Sequence, residues 1–434
     1  MEAKLTIEKL VHGGLGLGRL PSGMVALVEN ALPGEEVRAQ IVDECKGYVL
    51  TRAEAILSTS PFRTEPPCPH YALCGGCNLQ HASYPAQLAW KRDIVLDGLR
   101  RAGVFHTEQA VNETLPSPQF FSYRYRLRLH LDKKGNLGFY QRRSKTVEPV
   151  KRCLLATDAI NGLLGTVQTS LDLVRLARHL KGLEIAECPE TAQLFLLLHL
   201  QKDVLPSQKT FQILLADFST VININISTQH NGKTTPLHGP GELLLGQKFI
   251  LNEQGLSYTL HWPVGSFFQT NIAQNAQMVA MATEAADSPH NVLDLFCGAG
   301  NFSVPLGLCG CAITGIEQDK TSIACAQKNS QAAGVQTYNF KAADVHKELA
   351  QLTKNKKTFD CLLMDPPRQG LGKAVSHIPA LKPERIISIS CDPATHARDL
   401  GFLSQNGYQL KNLYPIDLFP QTHHIETLAI LEKN

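Results

Sequence analysis

From about residue 260 onward, short apolar runs alternate with glycine-bearing loops and amphipathic stretches, and this alternation constrains the fold more than any other feature. The runs at 291–295, 312–316, 359–364 and 385–390 read as strands, and 301–308 and 320–333 read as helices between them. Strands alternating with helices predict a doubly wound, Rossmann-like parallel α/β sheet that binds ligands at the carboxyl ends of its strands.

The first strand ends in the loop Asp294-Leu-Phe-Cys-Gly-Ala-Gly-Asn301. Gly298 and Gly300 let a ligand approach the backbone where the next helix begins. Glu317 ends the second strand, where a carboxylate can take ribose hydroxyls. A dinucleotide loop wants Gly at position 303, and this chain has Ser303. A loop with acidic strand ends suits S-adenosylmethionine (SAM), whose sulfonium is positive and whose adenosine carries no phosphate. A tight turn without any cofactor is the weaker alternative. Asp365-Pro-Pro-Arg368 follows the third strand. Methylases of exocyclic amines use a similar motif followed by an aromatic residue, so Arg368 argues against amine chemistry.

Two short segments near the end bear reactive groups, Ser-Cys-Asp-Pro at 390–393 and His-His-Ile-Glu-Thr at 423–427. Carbon 5 of a pyrimidine becomes nucleophilic when a thiolate adds at carbon 6. The carbon-5 proton must then leave to a base before the thiol can be eliminated. Cys391 and Glu426 are the residue types that this scheme needs. Taken singly, a buried apolar cysteine and a surface ion-pair glutamate are the better readings.

Residues 3–58 alternate in short runs broken by glycines and Pro33-Gly34, which reads as a small antiparallel barrel of the oligonucleotide-binding type. The proline-rich segment 58–69 reads as a linker. The middle, about 70–260, reads as α+β, with helices at 87–102 and 161–183 and strands at 125–131 and 211–215. Cys68, Cys74, Cys77 and Cys153 are four soft ligands, which by count suit zinc or a [4Fe–4S] cluster equally.

The net charge of +3 is too small to argue for a nucleic-acid partner. Between Lys91 and Arg152, however, 14 Lys+Arg stand against 6 Asp+Glu, a local 14 − 6 = +8. Tyr123, Tyr125, Phe139 and Tyr140 are interleaved, as phosphate pairing and base stacking on RNA require. A solvated basic face explains the same composition equally well. The N-terminus lacks the apolar core of a secretory signal, and the most apolar stretch, 194–200, is too short to span a bilayer. Twelve cysteines without an export signal point to a reducing compartment, so the expectation is a cytoplasmic protein with no membrane partner.

Together these motifs resemble the RNA uracil-C5 methyltransferases, most closely their TRAM-containing branch directed at 23S rRNA. The resemblance runs over nearly the whole chain. It rests on Ile7–Arg19 with Ala31–Glu35, on Cys68-x5-Cys74-Gly-Gly-Cys77-Asn-Leu-Gln-His81, and on the motifs around Asp294, Asp365, Ser390 and Phe419. It implies a TRAM barrel at 1–58, a central iron–sulfur domain at 59–258 whose stretch 82–117 packs on the catalytic domain, and a class I methyltransferase domain at 259–434. It implies SAM contacts at Gln269, Phe296, Asn301, Glu317, Asp344 and Asp365, a [4Fe–4S] cluster on Cys68, Cys74, Cys77 and Cys153, Cys391 as nucleophile and Glu426 as base. The implied substrate is a 23S rRNA uridine, with the tRNA T-loop as the alternative target. A noncatalytic rRNA-binding or folding factor is the alternative of another class, and such a binder needs neither Cys391 nor Glu426. A monomer is expected, because the substrate is large.

Overall fold

A computed structural model describes residues 2–104, 107–132, 134–169, 179–201, 224–230, 233–238, 243–251 and 256–434. Strands β1 (Glu2–Val11), β2 (Leu15–Arg19), β3 (Val25–Glu29), β4 (Glu36–Cys45) and β5 (Tyr48–Ser58) close into a barrel in the order β1-β2-β3-β5-β4. The barrel is not wholly antiparallel as expected, because β3 and β5, which are not consecutive, pair parallel to close it. Their period-two alternation turns Leu5, Ile7, Ala26, Val28, Val37, Ala39 and Val49 into one core. At its edge the fully buried Glu35 accepts the Leu32 N–H at 2.8 Å and two guanidinium N–H groups of Arg63 at 2.5 and 2.7 Å. Arg63 lies in the proline-rich segment, which is therefore a strap packed on the barrel and not a free linker.

The middle of the chain forms a seven-stranded sheet, ordered β12-β11-β10-β9-β6-β7-β8. Its strands are β6 (Arg126–Leu131), β7 (Leu137–Tyr140), β8 (Val147–Pro149), β9 (Leu180–Glu187), β10 (Leu194–Leu200), β11 (Ile224–His230) and β12 (Lys233–His238). Helix Asp158–Thr169 lays Ile160, Leu163, Leu164 and Val167 on one face, against Leu127, Leu129, Leu183, Ile185 and Leu196. The helix expected at 161–183 is corrected at its end. Residues 180–183 belong to β9, which hydrogen-bonds to both β6 and β10. Pairing on both sides overrides the helical spacing of its leucines. The strand expected at 211–215 lies outside the described residues.

A hairpin of β13 (Leu244–Ile250) and β14 (Ser257–Pro263) leads into the last sheet and packs on helix Lys320–Ala333. That sheet has seven strands in the order β17-β16-β15-β18-β19-β21-β20. They are β15 (Asn291–Leu295), β16 (Ala312–Glu317), β17 (Tyr338–Ala342), β18 (Cys361–Met364), β19 (Arg385–Ser390), β20 (Tyr408–Ile416) and β21 (Glu426–Lys433). The first five run parallel, as the alternation predicts for four of them; β17 is a further parallel strand beyond those read from the sequence. The sheet is not wholly parallel, however, because β21 inserts antiparallel between β19 and β20. The return from β20 to β21 is a short loop with no crossover helix, so only antiparallel pairing is open to it.

Helix Tyr84–Arg101 precedes the middle sheet in sequence but packs on the last one. Val95, Leu96 and Leu99 share a core with Leu400, Leu403 and Tyr408. It crosses helix Pro393–Gln405 closely, and a Cβ on Gly401 there would stand 2.8 Å from the Ala102 carbonyl oxygen. Among the described residues, no helix is long and apolar enough to cross a membrane.

Candidate active site

Five parallel strands end along one edge, and the residues that follow them gather there. Phe296 follows β15, Glu317 ends β16, Asp344 lies just beyond β17, Asp365 follows β18 and Cys391 follows β19. Backbone bonds lock this edge: Phe296 N–H donates to Ile316 at 2.8 Å, Ala343 N–H to Glu317 at 2.9 Å and Asp365 N–H to Leu295 at 3.3 Å. Phe296 takes a left-handed φ of 63°. For a side chain with a Cβ this costs about 1 kcal/mol or more, and the sheet bond to Ile316 holds it. Gly298 at φ 53° has nothing within 4 Å of a would-be Cβ, so the loop is open on the ligand side.

The register of β19 on β21 pairs Ser390 with Thr427. That is the last pair of the ladder; Cys391 and Glu426 are the next residues on the two chains, and the Glu426 charge reaches the Cys391 thiol although they stand 426 − 391 = 35 positions apart in sequence. Cys391 is half-buried, and Glu426 is only 2% exposed. Burial pushes the Cys391 thiol up to about 11; Glu426 and Asp365 push the same way, while Arg368 and the residue's own N–H oppose them. Burial also holds Glu426 well above the usual carboxylate range, with Asp365 adding to it and Arg368 opposing. Asp365 is raised to about 7 by burial. Asp294 is raised to about 7 as well, by burial first and then by Asp365 and Glu317, against a hydrogen bond from Ser303. An acidic edge with one guanidinium beside it favours a cationic ligand.

The other sequence-predicted residues surround this edge with different commitments. Gln269 is buried in the loop before helix Ile272–Ala286. Asn301 exchanges two amide hydrogen bonds with the buried Asn275, each of 3.0 Å. Glu317 accepts the N–H groups of Gln318 and Asp319 through one oxygen. Asp344 caps helix Val345–Lys354 by accepting the Lys347 N–H at 3.0 Å, and that bond lowers its pKa.

Residues 103–434 match the model of the tRNA (Uracil-5-)-methyltransferase family, and residues 2–52 match the TRAM domain. The 23S rRNA (uracil(1939)-C(5))-methyltransferase RlmD of Shewanella amazonensis is 33% identical, over 99% of this chain and 95% of that one. Its counterpart in Shewanella sediminis is 34% identical, over 100% of this chain and 96% of the relative. The chain belongs to the RNA (uracil-C5)-methyltransferase family. A solved tRNA (uracil-54, C5)-methyltransferase of Pyrococcus abyssi shares the fold, with a TM-score of 0.73, 24% identity and 99% and 100% coverage of the two chains.

In this methyltransferase the four cysteines Cys68, Cys74, Cys77 and Cys153 are free thiols. They lie within reach of one another's charge: Cys74 feels Cys153 and Cys68, Cys77 feels Cys153 and Cys74, and Cys153 feels Cys68. Burial is the largest cause raising Cys74 to about 11 and Cys77 to about 12. Arg142 near Cys74, and Arg124 near Cys77 and Cys153, oppose that rise. Among the described residues, no three His, Cys, Asp or Glu side chains are arranged to hold a single metal ion.

The basic stretch is neither wholly an RNA face nor wholly solvated. Tyr123 is 2% exposed and donates its hydroxyl to the Pro420 carbonyl at 3.0 Å. The Arg124 guanidinium lies 5.6 Å from the Phe419 ring, and Arg126 donates to the Ser266 carbonyl at 2.6 Å. These contacts tie the start of the middle sheet to the loop before helix Ile272–Ala286 and to the loop between β20 and β21. Arg128 is exposed, Tyr140 is 38% exposed and stacks on His130, and Lys133 lies outside the described residues.

Sequence reasoning gave no role to several residues that build the site. Asn78 donates to the Gly13 carbonyl at 3.0 Å, and its carbonyl oxygen takes the His423 N–H at 2.7 Å, joining the barrel, the cysteine loop and the loop between β20 and β21. Asn271 donates to Ser117 and to the Leu418 carbonyl, each at 3.0 Å. Asn78 sits inside a motif that was visible. The partners of both are remote in sequence, so no local signal could reveal them.

Proposed function

We propose that the chain transfers the methyl group of SAM to carbon 5 of a uridine in 23S rRNA, giving 5-methyluridine. The observation that carries this is the β19–β21 register, which sets a thiol opposite a buried carboxylate at the ligand edge of the sheet. The thiolate of Cys391 adds to carbon 6, forming an S–C bond and leaving an enolate at carbon 5. Bound SAM supplies an electrophilic methyl group to that carbon. Glu426 then takes the carbon-5 proton; the C–H electrons restore the ring double bond and the S–C bond breaks with its electrons going to sulfur, returning the thiolate.

Gln269, Phe296, Asn301, Glu317, Asp344 and Asp365 hold the cofactor in this reading. A sulfonium held by these residues would offset what raises Cys391, because a nearby cation favours the thiolate. The uridine must leave its stack to be attacked from its face. A cleft lined by Gly14, Asn30, Asn78, Arg143, His423 and His424 runs from the barrel to the catalytic loop and gives the flanking RNA a route.

Cys68, Cys74, Cys77 and Cys153 would hold a [4Fe–4S] cluster in this reading, four thiolate ligands being the set such a cluster takes, with Arg142 near Cys74 and Arg124 near Cys77 and Cys153 favouring their ionised form. We assign 1–58 to RNA binding, 59–258 to the cluster domain and 259–434 to catalysis, in a cytoplasmic monomer. The names of the bacterial relatives favour 23S rRNA as the target. The test is anaerobic incubation of the protein with SAM and unmodified 23S rRNA or tRNA, followed by mass spectrometry of nucleosides. 5-Methyluridine in rRNA alone supports the reading, and product only in tRNA replaces the substrate. No product in either, with SAM bound, favours a noncatalytic rRNA-binding factor.

A further inference from the structure

Beneath the reacting pair lies a chain of buried polar groups that the proposed mechanism does not use. His396, on helix Pro393–Gln405, is 4% exposed, and Ser388, Ser390 and Thr427 are each at most 2% exposed. His396 Nδ1 lies 2.7 Å from Thr427 Oγ1, and Nε2 lies 2.9 Å from Ser388 Oγ. Thr427 Oγ1 donates to the Ser390 carbonyl at 3.0 Å.

The donors and acceptors fix the direction of this chain. The single Thr427 hydroxyl proton goes to Ser390, because a carbonyl can only accept. Toward His396, Thr427 must therefore accept, so Nδ1 carries the ring proton. Burial lowers His396 to about 3, so the ring is neutral and Nε2 accepts from the Ser388 hydroxyl. The order is Ser388 to His396 to Thr427 to the Ser390 carbonyl. That carbonyl belongs to the peptide unit whose N–H is that of Cys391, and Thr427 adjoins Glu426.

We propose that His396 is a positioning residue for the reacting pair: through Thr427 it clamps the last rung of β19 on β21 and so fixes the Cys391 thiol against the Glu426 carboxylate. This inference rests on the reading of those two residues as nucleophile and base. The chain spans helix, β19 and β21, so losing any link frees the rung from the helix behind it. Linked bonds polarise one another, which stiffens the Ser390–Cys391 peptide further. The groups facing the thiol are Glu426, Asp365 and Arg368, and only Glu426 lies beyond the clamped rung.

The test reads the coupling between thiol and carboxylate without RNA or SAM. The alkylation rate of Cys391 is followed against pH by mass spectrometry, in parent and Glu426→Gln backgrounds. In the parent, Glu426→Gln lowers the thiol's titration midpoint, because it removes a raising carboxylate. In His396→Leu and in Thr427→Val that difference shrinks by about half or more, whereas His396→Asn and Thr427→Ser, which keep a donor and a hydroxyl, preserve it. With RNA and SAM, His396→Leu and Thr427→Val lower kcat about tenfold or more and change KM less than about twofold. An undiminished coupling in either folded variant overturns the proposal, as does a loss that the Asn and Ser variants fail to rescue. Intact coupling in a parent protein that methylates no RNA would overturn the proposed function and leave the clamp standing.

Discussion

Lys91 and Asp417 form a 2.5 Å ion pair whose side chains are 1% and 0% exposed. The pair pins helix Tyr84–Arg101 to the loop between β20 and β21, which carries the approach to Glu426. Removing one partner strands the other charge in a dry site. Lys91→Met should therefore cost about 3–5 kcal/mol in urea unfolding, and Lys91→Met with Asp417→Leu should recover most of it. A double variant no more stable than the single one would show that the pair is not what the site depends on.

Glu426→Gln removes the proposed base but leaves the thiol. Addition to carbon 6 can proceed while elimination stalls, so an enzyme–RNA adduct should persist through denaturing electrophoresis. Product should fall about a hundredfold or more, and Cys391→Ala should give neither adduct nor product. An adduct formed by Cys391→Ala would assign the nucleophile elsewhere.

Asp294 and Asp365, both raised to about 7, link stability to pH. A raised carboxyl contributes its full stability below the unfolded value near 4, and loses it as pH rises through the folded value. The parent protein should thus lose stability between about pH 4 and 7 relative to Asp294→Asn, whose curve should be flatter over that window. Parallel denaturation curves for the two proteins would refute the buried-acid account.

Gly14 has φ +73°, and a Cβ there would stand 2.6 Å from Asn78 Nδ2 and 3.1 Å from His423 Cβ. Gly14→Ala should push the barrel off the catalytic loop. RNA affinity should fall several-fold while SAM affinity stays unchanged, as fluorescence anisotropy and calorimetry would read separately. Equal loss of both would mean that the change reaches the SAM edge.

The cofactor's charge should be visible in the thiol. SAM should lower the alkylation midpoint of Cys391 from its value near 11, and S-adenosylhomocysteine, which lacks the sulfonium, should not. Equal shifts with both ligands would tie the effect to loop closure.

The alternation of strands, glycine loop and helices determined four of the five parallel strands, β17 being the one not read, and period-two alternation determined the apolar face of the barrel strands, because local spacing dictates which face of an element is apolar. The chemistry-bearing types were legible too: Cys391, Glu426 and the acidic strand ends are written as motifs. The antiparallel insertion of β21 and the strand at 180–187 were not, since each depends on partners chosen from far along the chain; the packing of helix Tyr84–Arg101 on the last sheet was implied by the family resemblance and not by local spacing. Only the tertiary structure brought Cys391 onto the rung beside Glu426, turned Tyr123 and Arg124 inward as braces, and closed the chain from Ser388 through His396 to Thr427. A sequence states which groups are available; the register between strands remote in sequence sets their distance and burial, and those decide charge state and chemistry.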